Sequence, residues 1–158
     1  MTRDTKVRTC LWFDGNGEEA ARFYVSLIPA STIESVFAPD PSKPPLIVDF
    51  TLGGTPYQAL NGGARFPHTE AASISVLTDD QAETDRLWSA LTAGGGQEIQ
   101  CSWLKDKYGL SWQIVPRRLV ELLTDPQPER AARVMQAMLQ MVKIDIALLE
   151  AAAGERGD

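Results

Sequence analysis

Two glutamines stand at matching places in two similar stretches of the chain. Segments 54–59 (GTPYQA) and 109–114 (GLSWQI) each run from a turn glycine through an aromatic residue to a glutamine and an apolar residue. A carboxamide donates and accepts hydrogen bonds but carries no charge, so Gln58 and Gln113 suit the orientation of a polar ligand better than the binding of a metal ion. The shared pattern also indicates that the chain contains two copies of one structural unit.

The other reactive side chains are few and scattered. His68, the only histidine, lies in the loop sequence FPHTEA, and a lone histidine cannot form a metal site. We expect it to be structural, with a role as general base or cavity-rim contact, oriented by Glu70, as the alternative. Cys10 and Cys101 lack metal-binding or redox spacing and are expected to be free thiols.

Length and charge narrow the class of protein. A chain of 158 residues with a net charge of −6 fits one well-buried domain and disfavours nucleic acid or an anionic membrane as partner. Its sequence has neither an apolar run of about 20 residues nor a hydrophobic leader near the N-terminus. We therefore expect a cytoplasmic protein with no membrane partner.

Periodicity predicts a β-α-β-β-β module at about 9–63, a second module at about 71–116 in which a strand and a helix precede a final hairpin, and a helical extension at about 117–153. In module one, Asn16 is the expected N-cap of the helix; in module two, Asp80 and Glu83 form a possible capping box. The extension should contain a short turn and then one helix at about 129–153. The predicted strands are 9–13, 32–37, 46–52, 55–60, 73–77, 98–104 and 110–115.

Five segments of the chain resemble a known family. They are LWFDGNGEEAARFY, QALNGG, SISVLTDDQAETDRLWSAL, WLKDKYGLSWQIVP and DPQPERAARVMQAMLQM. Over about 10–153 the chain resembles the PhnB-like branch of the glyoxalase/bleomycin resistance protein/dioxygenase superfamily, also called vicinal oxygen chelate proteins. The resemblance implies an α+β fold in which two tandem βαβββ modules form a half-barrel sheet around a cavity. It also implies a C-terminal helix and a homodimer.

The resemblance further implies where a metal would bind. Enzymes of the superfamily hold a divalent metal with four side chains, and the last strand has the frame D-x-x-G-x-x-x-E. Here Asp106 and Gly109 match this frame, with Gln113 where the glutamate would stand.

The corresponding positions in the other strands carry Gln58, Thr9 and Ser73. All four side chains are neutral, so we expect no catalytic metal and no other cofactor, with a divalent metal as the alternative. A shift of one residue in the strand register would turn Asp49 and Asp14 towards the cavity instead.

The sequence thus predicts a small-molecule-binding protein with a mostly neutral cavity, and it leaves open whether the protein is an enzyme. The alternatives are a metal-dependent lyase, isomerase or dioxygenase, a partner-binding dimer whose cavity is filled by aromatic side chains, and the 3-demethylubiquinone-9 3-methyltransferase activity by which the branch is labelled. The glycine-rich DGNG turn does not favour a methyltransferase, because it lies outside a parallel, doubly wound sheet. No catalytic residue is assigned; the expected ligand-binding residues are Thr9, Trp12, Gln58, Asn61, His68, Ser73, Trp103, Trp112 and Gln113.

Overall fold

The computed structural model describes residues 5–154, and the chain divides into two compact units between His68 and Thr69. No helix within the described residues is long and apolar enough to cross a membrane. Each unit is described separately below.

The first unit has the element order β-α-β-β-β. Strand β1 pairs in parallel with β4, and β4 and β2 flank β3 in antiparallel pairs, giving the sheet order β1-β4-β3-β2. The elements are β1 (Thr9–Phe13), α1 (Gly17–Leu27), β2 (Thr32–Phe37), β3 (Ile47–Leu52) and β4 (Thr55–Asn61).

Helix α1 covers one face of this sheet, which we call its helix-side face. A Cβ added to Gly17, at the start of α1, would lie 3.2–3.3 Å from side-chain atoms of Phe13 and Ala59, so the helix begins against these strands. Because side chains alternate along a strand, the intervening residues point to the opposite face, which we call the far face. The buried side chains of the helix-side face include Leu11, Phe13, Val48, Phe50, Leu52 and Ala59.

The second unit repeats this order, as the sequence predicts. Its first and last strands, β5 and β8, pair in parallel, and the sheet order is β5-β8-β7-β6. The two mixed sheets confirm the α+β class and the repeated βαβββ arrangement. The elements are β5 (Ser73–Thr78), α2 (Gln81–Thr92), β6 (Gln97–Glu98), β7 (Trp103–Lys105) and β8 (Ser111–Pro116).

The capping box predicted for α2 is present. Asp80 Oδ1 accepts a hydrogen bond from the Glu83 backbone N–H at 2.8 Å, and Glu83 Oε2 accepts one from the Asp79 N–H at 2.7 Å. Hydroxyls of Thr78 and Thr84 lie 2.7 Å apart and join the helix to β5. These bonds satisfy donors that a helix start leaves open and fix the helix-side face of the second sheet.

The prediction of one continuous strand at 98–104 is wrong. Cys101 and Ser102 have φ values of 60° and 76°, in the left-handed region, so the chain turns between β6 and β7. Their backbone N–H groups donate to the carbonyls of Met141 and Val142 at 2.9 and 3.0 Å. These tertiary hydrogen bonds help to hold the otherwise unfavourable turn.

The prediction of one helix at 129–153 is also wrong, since the extension contains α3 (Arg117–Leu123), α4 (Pro128–Met138) and α5 (Ile146–Ala153). The carbonyls of Met141 and Val142 face the Cys101–Ser102 turn, where the chain between α4 and α5 is not helical. Asp145 then starts α5 by accepting from the Leu148 N–H at 3.0 Å. The three helices bury a common core of Leu119, Leu122, Val134, Ile144, Leu149 and Ala153.

Candidate functional site

A polar row crosses all four strands of the first sheet on its far face. The register pairs Cys10 with Gln58, Gln58 with Asp49, and Asp49 with Ser35. Side chains of paired residues point to the same face, so the four side chains lie side by side. The sheet thus brings together residues that are far apart in the sequence.

Hydrogen bonds join three members of this row. Asp49 Oδ1 accepts from Gln58 Nε2 at 2.9 Å, and Asp49 Oδ2 accepts from Ser35 Oγ at 3.1 Å. Asp49 is 0% exposed. Burying a carboxylate costs free energy unless hydrogen-bond donors surround it. The two hydrogen bonds therefore fix the position of Asp49 and the orientation of the Ser35 and Gln58 side chains.

An ion pair lies at the other end of the same strands. The Arg8 guanidinium contacts the Glu34 carboxylate and donates to the Tyr57 carbonyl at 3.2 Å, and the two charged side chains are 11% and 23% exposed. Arg8 and Glu34 thus form an ion pair beside the polar row.

Trp12 supplies an aromatic surface beside the row. It follows Cys10 by two residues and so shares the far face, where it pairs with Leu60. Its Nε1 donates to the Gly63 carbonyl at 2.7 Å, and its ring makes an edge-on contact with Phe66 at a centroid distance of 4.9 Å. The half-buried indole is thus held in one orientation.

Cys10 is an exposed free thiol at the end of the row. Partial burial raises the pKa of this thiol above its ordinary value, so at neutral pH it is protonated. A thiol in this state is a weak nucleophile and a poor metal ligand, which makes Cys10 a neutral neighbour of Gln58.

The predicted correspondence between Thr9 and Ser73 is wrong. In the structure the strand partner of Gln58 is Cys10 and that of Gln113 is Ser75. Cys10 therefore corresponds to Ser75, whereas the sequence pattern matches Thr9 with Ser73. Thr9 pairs with Tyr57 and belongs to the helix-side set of alternating residues. It therefore lies outside the polar row.

The far face of the second sheet carries a shorter polar row. Gln113 pairs with Ser75 on one side and with Trp103 on the other, and Gln113 Nε2 lies 2.9 Å from Ser73 Oγ. The structure thus places Ser73, Trp103 and Gln113 together, as the sequence predicts. Within this unit they repeat the pattern of a carboxamide beside a hydroxyl and an aromatic ring.

Trp112 points the other way, because it precedes Gln113 on the strand. It is 0% exposed, and its Nε1 donates to Asp106 Oδ2 at 2.9 Å. Asp106 Oδ1 also accepts from the N–H groups of Tyr108 and Leu110, at 2.8 and 3.1 Å. The matched D-x-x-G motif therefore organises the β7–β8 loop, and Trp112 belongs to the core.

Asn61 acts as a clamp at the end of β4. Its Oδ1 accepts from the Gly17 N–H at 2.8 Å, and its Nδ2 donates to the Pro45 carbonyl at 2.7 Å. Asn16 has the predicted N-cap position, but its side chain makes no cap bond, so Asn61 performs that role from another strand. Both polar atoms of the Asn61 carboxamide are thus engaged, although the residue borders a cleft of about 390 Å³ with Asp14, Gly15, Pro39, Asp40, Lys43, Pro44, Leu46 and Gly63.

His68 packs its ring against Phe13, at a centroid distance of 5.2 Å. Glu70, the predicted orienting carboxylate, instead forms an ion pair with Lys105 at 2.5 Å. That ammonium lowers the pKa of the Glu70 carboxyl, first through the hydrogen bond between them. The packing favours the structural role for His68.

The polar row does not have the donors that a catalytic metal requires. Both oxygens of Asp49 already accept hydrogen bonds, and Gln58 and Ser35 are neutral. Residues 5–154 contain no group of three or more His, Cys, Asp or Glu side chains placed to hold a metal ion. The sequence names Asp49 only as the alternative under a shifted strand register, although a single carboxylate inside the apolar strand IVDFTL is a signal for its place in the row.

The repeated units and the parallel pairing of their outer strands define the class of protein. The chain has the fold of the glyoxalase/bleomycin resistance/dioxygenase superfamily. A genomically encoded fosfomycin resistance protein from Listeria monocytogenes shares this fold, with a TM-score of 0.54 at 15% identity over 78% of this chain and all of that one. Protein PA1353 from Pseudomonas aeruginosa is similar at 22% identity, with a TM-score of 0.59 over 72% of this chain and 98% of that one.

A closer likeness identifies the family. A PhnB protein from Bacillus cereus, named provisionally as a 3-demethylubiquinone-9 3-methyltransferase, is 31% identical with a TM-score of 0.64, over 71% of this chain and 99% of that one. The model of the family described as 3-demethylubiquinone-9 3-methyltransferase matches residues 5–115. The chain therefore belongs to this PhnB-like family. No curated protein matches it.

Proposed function

We propose that this protein binds a small molecule on the far face of its first sheet, beside Gln58 and Trp12. The observation that carries the proposal is the polar row, in which a buried carboxylate holds the Gln58 carboxamide in one orientation. A fixed hydrogen-bonding group beside an aromatic surface is the usual composition of a small-molecule site. Cys10 adds a neutral, polarisable neighbour at the end of the row.

The chemistry of the row favours recognition over metal catalysis. A metal-dependent lyase, isomerase or dioxygenase needs anionic or imidazole ligands with open coordination positions, and the donors described above do not provide them. The second row, with Ser73, Trp103 and Gln113, is proposed as a further set of ligand contacts. A homodimer, implied by the resemblance, stays a prediction.

Transfer of a methyl group is the second candidate, because the matching family model is described by that activity. Titration calorimetry with S-adenosylmethionine separates the candidates. Saturable heat at millimolar cofactor would support methyl transfer, whereas binding of other small molecules without this cofactor would support the proposed function.

The test of the proposed function is a fragment screen by two-dimensional NMR on the ¹⁵N-labelled protein. We expect shifts of the Gln58 and Trp12 side-chain signals, and affinity loss of about tenfold in Gln58→Met. Gln136→Met is the matched control, because Gln136 is exposed on α4. If no fragment at millimolar concentration perturbs these signals, or if Gln58→Met binds as the parent does, the far face is not a binding site.

A further inference from the structure

The orientation of the Gln58 carboxamide is fixed by chemistry rather than by distance alone. Gln58 Nε2 donates to Asp49 Oδ1 at 2.9 Å, and this assignment fits because a carboxylate oxygen accepts hydrogen bonds whereas the carboxamide N–H₂ group donates them. The other polar atom of the group, the acceptor Oε1, is therefore turned away from Asp49. Ser35 holds the second carboxylate oxygen and keeps Asp49 from turning.

Gln58 Oε1 is left for a ligand. It accepts no hydrogen bond from any residue in 5–154, and it is not among the buried polar atoms of these residues that lack a partner, so it is accessible. An accessible carbonyl oxygen attracts a hydrogen-bond donor and repels an anion.

The surroundings of this acceptor supply the rest of a ligand contact. Arg8 pairs with Glu34 at the other end of the strands, and the ring of Trp12 lies on the same face of the sheet as Gln58. The first sheet thus presents a hydrogen-bond acceptor beside an aromatic surface.

We propose that the polar row selects ligands that place an N–H donor, amide or ammonium, on Gln58 Oε1, and that Asp49 is the residue that positions this acceptor. The inference rests on the proposed function of the far face and adds the class of ligand to it. Carboxylates and other oxyanions are disfavoured at this position. The preference is opposite to that of a metal centre, which attracts oxyanions.

Three naphthalene probes test the proposal, because they share one aromatic body that has no N–H group and differ only at the tip. 1-Naphthaleneacetamide offers a neutral N–H donor, 2-(1-naphthyl)ethylamine a cationic one, and 1-naphthaleneacetate an anion of nearly the same shape as the amide. By two-dimensional NMR titration we expect both donors to bind about tenfold more tightly than 1-naphthaleneacetate, with shifts at Gln58 and Trp12.

Variants of the row separate its members. In Asp49→Asn the residue can both donate and accept, so Gln58 is no longer held one way and the tenfold preference should fall to about twofold. Asp79→Asn is the matched control, because it makes the same change at an exposed carboxylate of the second unit, where Asp79 pairs with Arg117. Gln58→Met removes the acceptor itself, and the preference should vanish even if Asp49→Asn does not fold.

The outcomes distinguish the inference from the function on which it rests. Equal or tighter binding of 1-naphthaleneacetate at Gln58 overturns the donor preference while leaving a binding site. An unchanged preference in folded Asp49→Asn overturns the positioning role. If unrelated fragments shift the NMR signals of Gln58 or Trp12 at millimolar concentration but none of the three probes does, the donor preference also fails. If no fragment shifts these signals, the proposed binding function is itself wrong.

Discussion

Replacing Gly62 by alanine should displace Trp12 from its place beside the polar row. A Cβ at position 62 would lie within 2.5 Å of three atoms of the Trp12 ring, Cζ2, Cη2 and Cε2, which is far inside van der Waals contact. The φ of Gly62 lies outside the left-handed region, so the alanine backbone itself is unstrained. The overlap with the ring is therefore the main cost.

The size of this cost follows from what Trp12 loses when it moves. The hydrogen bond from its Nε1 to the Gly63 carbonyl is worth about 1 kcal/mol, and its edge contact with Phe66 about 0.5–1.5 kcal/mol. The lower chain entropy of unfolded alanine returns about 0.4–1 kcal/mol. We expect Gly62→Ala to lower the free energy of unfolding by about 1–2 kcal/mol and to weaken probe binding.

A double-mutant cycle measured by urea denaturation tests the cause. In the Trp12→Leu background the overlap is absent, so Gly62→Ala should be neutral or stabilising by up to about 1 kcal/mol. Gly54→Ala is the control: its φ is 83° and no atom lies within 4 Å of the added Cβ, so its cost should be backbone strain that is independent of Trp12. The reasoning is refuted if Gly62→Ala costs the same with and without Trp12.

Two further predictions concern the second unit. Asp106→Ala should lower the free energy of unfolding by about 3 kcal/mol, because three donors lose a buried acceptor. Asp40→Ala is the control, since it removes a similar but exposed turn and should lower the free energy of unfolding by about 0.5 kcal/mol. Equal losses in the two variants, measured by urea denaturation, would contradict the role given to Asp106. The hydrogen bond from Arg118 lowers the pKa of Glu150, so this pair stabilises the fold above about pH 4.5 and loses its effect as the pH falls through the folded pKa. In Glu150→Gln the free energy of unfolding, measured by urea denaturation, should therefore fall less between pH 5 and pH 3 than in the parent, by a difference of less than about 1 kcal/mol. If the free energy of unfolding depends on pH in the same way in both proteins, the pair is not a source of acid sensitivity.

The parts of the fold that depend on local signals could be predicted from the sequence. Turn glycines, alternating strands and the Asp80–Glu83 capping box each specify their element through neighbours a few residues away. The repeat then follows, because both modules carry the same signals in the same order. These elements are found within one or two residues of their predicted bounds.

The errors arise where distant segments decide the local structure. Helix periodicity continues through 139–145, but Cys101 and Ser102 take the carbonyls of Met141 and Val142, and the helix is interrupted there. Likewise, the register between β1 and β4 is set by pairing across 48 residues, which no local pattern reveals. A shift of one residue was enough to replace Thr9 by Cys10 as the neighbour of Gln58.

The same register changes the meaning of the glutamine at position 58. The resemblance implies a carboxylate among the metal ligands of this sheet, and a neutral residue there suggests that the charge has been lost. In the structure a carboxylate is present one strand away, at Asp49, where burial and two hydrogen bonds hold it. Its Oδ1 accepts a hydrogen bond from the Gln58 N–H₂ group. The carboxamide and the carboxylate therefore act as one unit, and the unit presents a carbonyl oxygen, so the site is suited to a ligand that donates a hydrogen bond.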